Sequence, residues 1–222
     1  MGKSVFSLVL SDEVIGEIDR LAYVHSTNRS NMINQILAEY VSVETPEQKV
    51  HDIFHRMETL LLHSEAGRNA FQLQSLPSDT MFSLRSALAY KYNPRILYRV
   101  ELYKHPEGDT LGELKVWLRT QNSDLIHDVN SFYSLWTGIE KEYFPDVETD
   151  IEDERYTRKL KLRKNSDSVT GDYLTLGDII ATYIDTFDTA LKTCFESTDS
   201  QEKTIERLND IYKNYLKGEA YV

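Results

Sequence analysis

Only one cysteine, Cys194, occurs in the 222 residues. Intramolecular disulfides and cysteine-rich zinc sites are thereby excluded, and a reducing compartment is expected. Glycine is sparse too, at 9, and no G-x-G-x-x-G, complete G-x-x-x-x-G-K-[ST] or G-x-S-x-G pattern exists to cradle a phosphate or raise a nucleophile. No run of about 18 apolar residues could span a membrane. The start, Met1-Gly2-Lys3-Ser4-Val5-Phe6, meets Asp12 and Glu13 too soon for a signal peptide, so a soluble, cytoplasmic protein is expected. Positive charge is also short: 25 Lys and Arg face 36 Asp and Glu, a net of -11. Bulk attraction to nucleic acid or anionic lipid is excluded, and any such contact needs a local patch. What the chain does have is aromatic bulk, 14 Tyr, 8 Phe and 2 Trp, enough for a large core in one or two domains.

Residues 4–10 place Phe6, Leu8 and Leu10 in period-2 alternation and predict one short strand. Ser11 follows as an N-cap, with Asp12 and Glu13 where the helix dipole favours acids. Val14, Ile18 and Leu21, widened by Ile15 and Ala22, form the apolar stripe of a helix. Residues 26–30 break it, and Met32, Ile33, Ile36, Leu37, Tyr40 and Val41 mark a second helix. Thr45-Pro46-Glu47-Gln48 has the form of a fresh helix start, with a Thr cap, Pro at the first position and Gln three after the cap. Residues 1–44 are therefore expected as one strand-helix-turn-helix unit. The next strand-like run begins near Arg95, which leaves the first strand without a neighbour in its own chain. A lone apolar strand is not stable, and the same strand of a second chain would complete it.

In this pattern residues 3–42 resemble the Arc/MetJ-type ribbon-helix-helix family. The matching stretches are Val5 to Ser11, the helix from Asp12, and Asn28-Arg29-Ser30-Asn31-Met32-Ile33. The resemblance implies a homodimer that binds double-stranded DNA, with the outward residues of its ribbon in the major groove. With Phe6, Leu8 and Leu10 inward, those residues are Val5, Ser7 and Val9, preceded by Lys3. Ser7 can hydrogen-bond a base edge, and the valines can touch thymine methyls. The resemblance also implies a phosphate grip at the start of the second helix, where Asn28, Arg29 and Ser30 stand. Two features depart from it. Family ribbons are usually polar or basic, and residues 1–44 set Lys3, Arg20 and Arg29 against Asp12, Glu13, Glu17, Asp19, Glu39 and Glu44, a net of -3. Because DNA affinity leans on phosphate neutralisation, a unit that only dimerises is the alternative.

Residues 46–222 carry no such resemblance, and their pattern predicts an α+β domain with a small antiparallel sheet. Helices are expected at 47–65, 79–92, 123–144 (capped by Ser123), 175–196 and 200–217. A hairpin is expected from strands 95–103 and 113–119 around the turn residues 105–109, and a third strand at 156–163 with Leu160 and Leu162 on one face. Residues 145–154 read as acidic and irregular, and 167–171 as a loop. Opposite the apolar face of this sheet lie Arg99, Lys115, Trp117, Arg119, Lys159, Lys161 and Arg163, with Tyr103 nearby. Basic residues interleaved with aromatics can track phosphates, although a solvated outer face explains them more simply. His51, His55 and Glu58 share a helical face, with His63 beyond, but no metalloprotease signature accompanies them, so no metal is expected. Cys194, between Leu191 and Phe195, reads as a buried structural thiol. The sequence thus predicts no enzyme and no cofactor, but a dimeric DNA-binding regulator, typically a transcriptional repressor. A plasmid copy-control or relaxosome accessory role uses the same mechanism. A further oligomer, a protein partner or a small-molecule effector would engage residues 46–222. The competing expectation is a protein-interaction scaffold whose N-terminal unit only dimerises.

Overall fold

The computed structural model describes residues 6–41, 43, 45–62, 71–75, 78, 80–152, 154–164, 175–197, 200–218 and 220–222. The chain divides into two compact units, Met1–Lys49 and Val50–Val222.

In the first unit, Ser11 caps helix α1 (Asp12–Val24), its hydroxyl accepting from the Val14 N–H at 3.4 Å. The chain turns through Ser26, whose φ of 49° is left-handed, and Asn28 caps helix α2 (Arg29–Tyr40) by accepting from the Asn31 N–H at 3.0 Å. Ile18, Ala22 and Met32 form a small core with Leu10, Leu21 and Ile33 packed on it. Residues 6–10 take no regular secondary structure in the single chain.

Helix α3 (Pro46–Leu62) begins with the reciprocal cap that its sequence predicts. Gln48 N–H donates to Thr45 Oγ1 at 3.1 Å, and Thr45 N–H to Gln48 Oε1 at 2.9 Å. It buries Val50, Phe54, Met57 and Leu61, at helical spacing.

The second unit is α+β. Its sheet comprises β1 (Gln72–Ser75), β2 (Met81–Ala87), β3 (Arg95–Glu107), β4 (Thr110–Leu118), β5 (Thr149–Glu152) and β6 (Arg155–Lys161). The order is β1-β2-β3-β4-β6-β5, and every pairing is antiparallel. Gly108, at φ +66°, makes the β3–β4 turn, a conformation that an L side chain resists. One face of the sheet, carried by Phe82, Leu84, Tyr98, Val100, Leu114, Val116, Tyr156 and Leu160, shares a single core with residues of α3, α4 (Ser123–Tyr143), α5 (Leu176–Glu196) and α6 (Gln201–Tyr215). Phe187 of α5 lies at its centre, its ring 5.1 to 6.3 Å from those of Tyr98, Phe132, Tyr133, Trp136, Tyr156 and Tyr183. A two-stranded pair, β7 (Arg163–Lys164) with β8 (Ala220–Tyr221), completes the unit. Among the described residues no helix is long and apolar enough to cross a membrane.

Several expectations need correction. Residues 81–87 are a strand, not part of a helix. Phe82, Leu84, Ser86 and Leu88 are all buried, and the polar Ser86 hides this alternation in the sequence. Ser86 is accommodated because its hydroxyl donates to buried Asp188, which also accepts from Tyr98 Oη at 2.6 Å. Strand β1 was not expected either, so residue 95 does not begin the next strand. Its one partner, however, is β2, and residues 6–10 pair with neither. Within the acidic stretch, residues 149–152 are strand β5, directing Thr149 and Ile151 one way and exposing Asp150 and Glu152. Asn122, not Ser123, caps α4, its side chain accepting from the N–H groups of Asp124 and Leu125. Strand β6 ends at Lys161, which leaves Leu162 exposed instead of beside Leu160. Residues 167–171 and His63 lie outside the described residues.

Candidate nucleic-acid interface

In the first unit the residues expected at DNA fall into three groups. Lys3 and Val5 lie outside the described residues. Ser7 and Val9 are exposed, but so are Phe6 and Leu8, at 83% and 59%, so the single chain does not separate an inward from an outward side. That exposure continues along the helices: Val14, Tyr23, Val24, Leu37, Tyr40, Val41 and Val43 are all open to solvent. Scattered apolar residues on a surface are ordinary; here the uncovered ones recur from Phe6 to Val43.

The third group sits where α2 begins. The Asn28 side chain is occupied in capping, and Ser30 is exposed in the first turn. Arg29 reaches across to α1 and grips Asp19 with two parallel bonds, Nε to Oδ1 at 2.7 Å and Nη2 to Oδ2 at 2.6 Å. This hydrogen-bonded pairing holds the Asp19 carboxyl below its ordinary value and the Arg29 guanidinium above its own. Two of five guanidinium N–H groups are thus committed, and those of Nη1 remain for a second anion. The pair orients Arg29 and reduces its local charge.

In the second unit the cations expected on the outer sheet face divide by chemistry. Lys115 Nζ lies 2.7 Å from Glu101 and 3.1 Å from Glu113, and Lys159 pairs with Glu113 too. Although burial pushes the Glu113 carboxyl up, hydrogen bonds from Lys159, Tyr103 and Lys115 bring it down to about 2. Lys161 lies between Glu148 and Asp109, and Arg163 bonds Asp146 at 2.7 Å while covering the Phe144 ring. These four are internally neutralised. Arg99 and Trp117 form a different association, with the guanidinium carbon 5.1 Å from the indole centroid, and Arg119 is exposed. The sequence reading missed Arg155, which stands 5.4 Å over the same indole and pairs in register with Trp117.

Another cation, Arg158, points inward. Its Nε donates to Glu140 at 2.9 Å and its Nη2 to the Val222 carbonyl at 2.8 Å, while Tyr156 and Tyr183 donate to the same carboxylate at 2.9 Å each. Glu140 and Arg158 are almost wholly buried, and the satisfied network fastens α4, β6 and α5 together. His51 and His55 are exposed, and among the described residues no three His, Cys, Asp or Glu side chains gather in a metal-binding group. Cys194 is half-buried, and burial pushes its thiol up, away from nucleophilic reactivity. No family model matches this chain, and no curated protein or solved structure is significantly similar to it.

Proposed function

We propose that the protein is a homodimeric, sequence-specific DNA-binding regulator, acting as a repressor through a ribbon-helix-helix headpiece built from residues 3–42 of two chains. The observation that carries this reading is the segment Phe6 to Leu10. It is apolar and largely exposed, and it finds no strand partner among the described residues of its own chain. Pairing with the same segment of a second chain satisfies its backbone groups and covers Phe6 and Leu8 together. That pairing turns Ser7 of both chains to one side, beside the two α2 starts. There the remaining N–H groups of Arg29 and the first-turn amides would meet phosphate.

The Arg29–Asp19 pair and the acidic balance of residues 1–44 favour one rival, a headpiece that dimerises without touching DNA. Enrichment of duplexes from a random pool, followed by fluorescence anisotropy of the selected site over a salt series, separates the two. A DNA-binding headpiece gives a linear fall of log K with log salt. Arg29→Ala removes one phosphate contact per chain and flattens that slope by about 1.8 on every duplex. Ser7→Ala weakens the selected site alone, by about 1–3 kcal/mol. No enrichment and no binding in low salt establish the dimerisation-only reading.

A further inference from the structure

The outer face of the second unit's sheet gathers five arginines near one tryptophan. Arg85 stands on β2, Arg95 and Arg99 on β3, Arg155 on β6, and Arg119 directly follows β4 with the strand parity of Trp117. The register sets them close: Arg85 pairs with Leu97, Leu97 with Trp117, and Trp117 with Arg155. None of the five forms an ion pair with a described residue, whereas the lysines of the same face all do. Among the described residues Arg85 bonds only the neutral Gln72 side chain, and the Nε of Arg99 is buried without an acceptor. In a chain with a net charge of -11, acids are plentiful and Glu152 stands opposite Arg155 in register, yet no described acid forms an ion pair with this cluster. Gathering like charges opposes folding and contributes nothing to the core, which lies on the other face of the sheet.

We propose that this face binds single-stranded nucleic acid, independently of the headpiece. Guanidinium forks suit phosphodiester oxygens, and the guanidinium planes of Arg99 and Arg155, both held at the Trp117 ring, offer surfaces on which bases stack. The flat face of an antiparallel sheet lets a strand lie across several arginines at once. The exposed acids of β5, Asp150 and Glu152, bound the site beyond β6, so the strand runs over β2, β3 and β4.

The test uses the full chain and a labelled 20-nucleotide oligo-dT, with a matched duplex as control. Oligo-dT should bind in low salt, and binding should quench the fluorescence of Trp117, while Trp136 is fully buried. Arg95 and Arg119 are exposed, so the double variant R95Q/R119Q keeps the core intact. It should bind oligo-dT at least tenfold more weakly, with a salt slope lower by about 1.4. Any duplex binding by the headpiece should be unchanged in this variant, and Arg29→Ala should leave oligo-dT binding unchanged. The proposal is overturned if oligo-dT fails to bind, if R95Q/R119Q binds it as the parent does, or if Trp117→Phe leaves the quenching in place. Duplex binding that falls with R95Q/R119Q as steeply as oligo-dT binding overturns the single-strand assignment. A headpiece that ignores DNA leaves the oligo-dT arm intact, so the two proposals fail separately.

Discussion

Replacing Glu140 by Gln tests how the second unit holds α4, β6 and α5 together. The carboxylate accepts Arg158 Nε and Tyr183 Oη on one oxygen and Tyr156 Oη on the other, each at 2.9 Å, with no solvent exposure. Gln retains one acceptor, turns an NH2 toward a donor, and strips Arg158 of its counter-charge. Burial disfavours that guanidinium's charge, and Glu140 together with Tyr183, Tyr156 and Tyr215 more than offsets this, holding it above its ordinary value. Removing one partner of such a pair costs about 3–5 kcal/mol, because the other charge stays buried and unpaired. A domain's whole stability is about 5–15 kcal/mol, so the loss is a large share of it. At about 2–4 °C per kcal/mol for a unit of this size, the melting temperature should fall by about 6–20 °C. Urea unfolding followed by circular dichroism, at fixed protomer concentration, measures the change. The double variant E140M/R158M removes both charges and should recover part of the loss, the remainder reflecting the Tyr156 and Tyr183 hydroxyls left without their acceptor. A cost below about 1 kcal/mol for E140Q, or a double variant as unstable as the single one, would refute this account of the network.

Four further perturbations test other parts of the molecule. Glu113 is depressed to about 2 from 4.5, so the stability it contributes is fully present above about pH 4.5 and is lost as pH falls toward 2. After solvent screening that contribution is about 1 kcal/mol, and acid titration of E113Q should show a correspondingly flatter profile between those limits. A Cβ at Gly177 would stand 2.7 Å from the Ile53 carbonyl and 2.8 Å from Arg56 Cβ, so Gly177→Ala should destabilise by about 1–3 kcal/mol in thermal melts. Gly138→Ala, with nothing within 4 Å, should stabilise by about 0.4–1 kcal/mol instead. Leu8→Pro removes a ribbon donor and an apolar contact and should yield monomers by light scattering, and a parent-like dimer would exclude the ribbon as its interface.

Helix starts were largely legible where a short polar side chain closes its own local hydrogen bond, although at α4 Asn122 takes the place expected of Ser123. Ser11 and Thr45 cap the helices that their sequence context predicts, and Asn28 caps α2 from within the break at residues 26–30. Strands were legible only where both neighbours leave their alternation clean, as along β3 and β4. The alternation of β2 was hidden by Ser86, a polar residue that is buried because Asp188, 102 residues away, receives its hydroxyl. No local pattern carries that partnership. The same holds for Arg158, whose inward position depends on Glu140 from α4. The outer face was half-legible for a related reason. Parity placed Lys115, Lys159 and Arg99 outward, but only the fold shows which cations meet acids and which gather near Trp117. Arg85 was missed because its strand read as a helix, whereas Arg95 opens an expected strand and Arg155 directly precedes one, and only the cross-strand register brings them near Trp117.

The two-chain ribbon is tested most directly by a distance between chains. A nitroxide at Ser7→Cys, in a Cys194→Ser background, sits at the midpoint of residues 4–10, where an antiparallel ribbon brings the two copies opposite each other. Opposed Cβ atoms in such a pair stand about 5 Å apart. Double electron resonance and continuous-wave spectra should therefore show strong, short-range dipolar coupling that is lost on dilution with unlabelled chain. A spectrum without inter-chain coupling, from protein that sediments as a dimer, would contradict the ribbon and with it the DNA-binding headpiece.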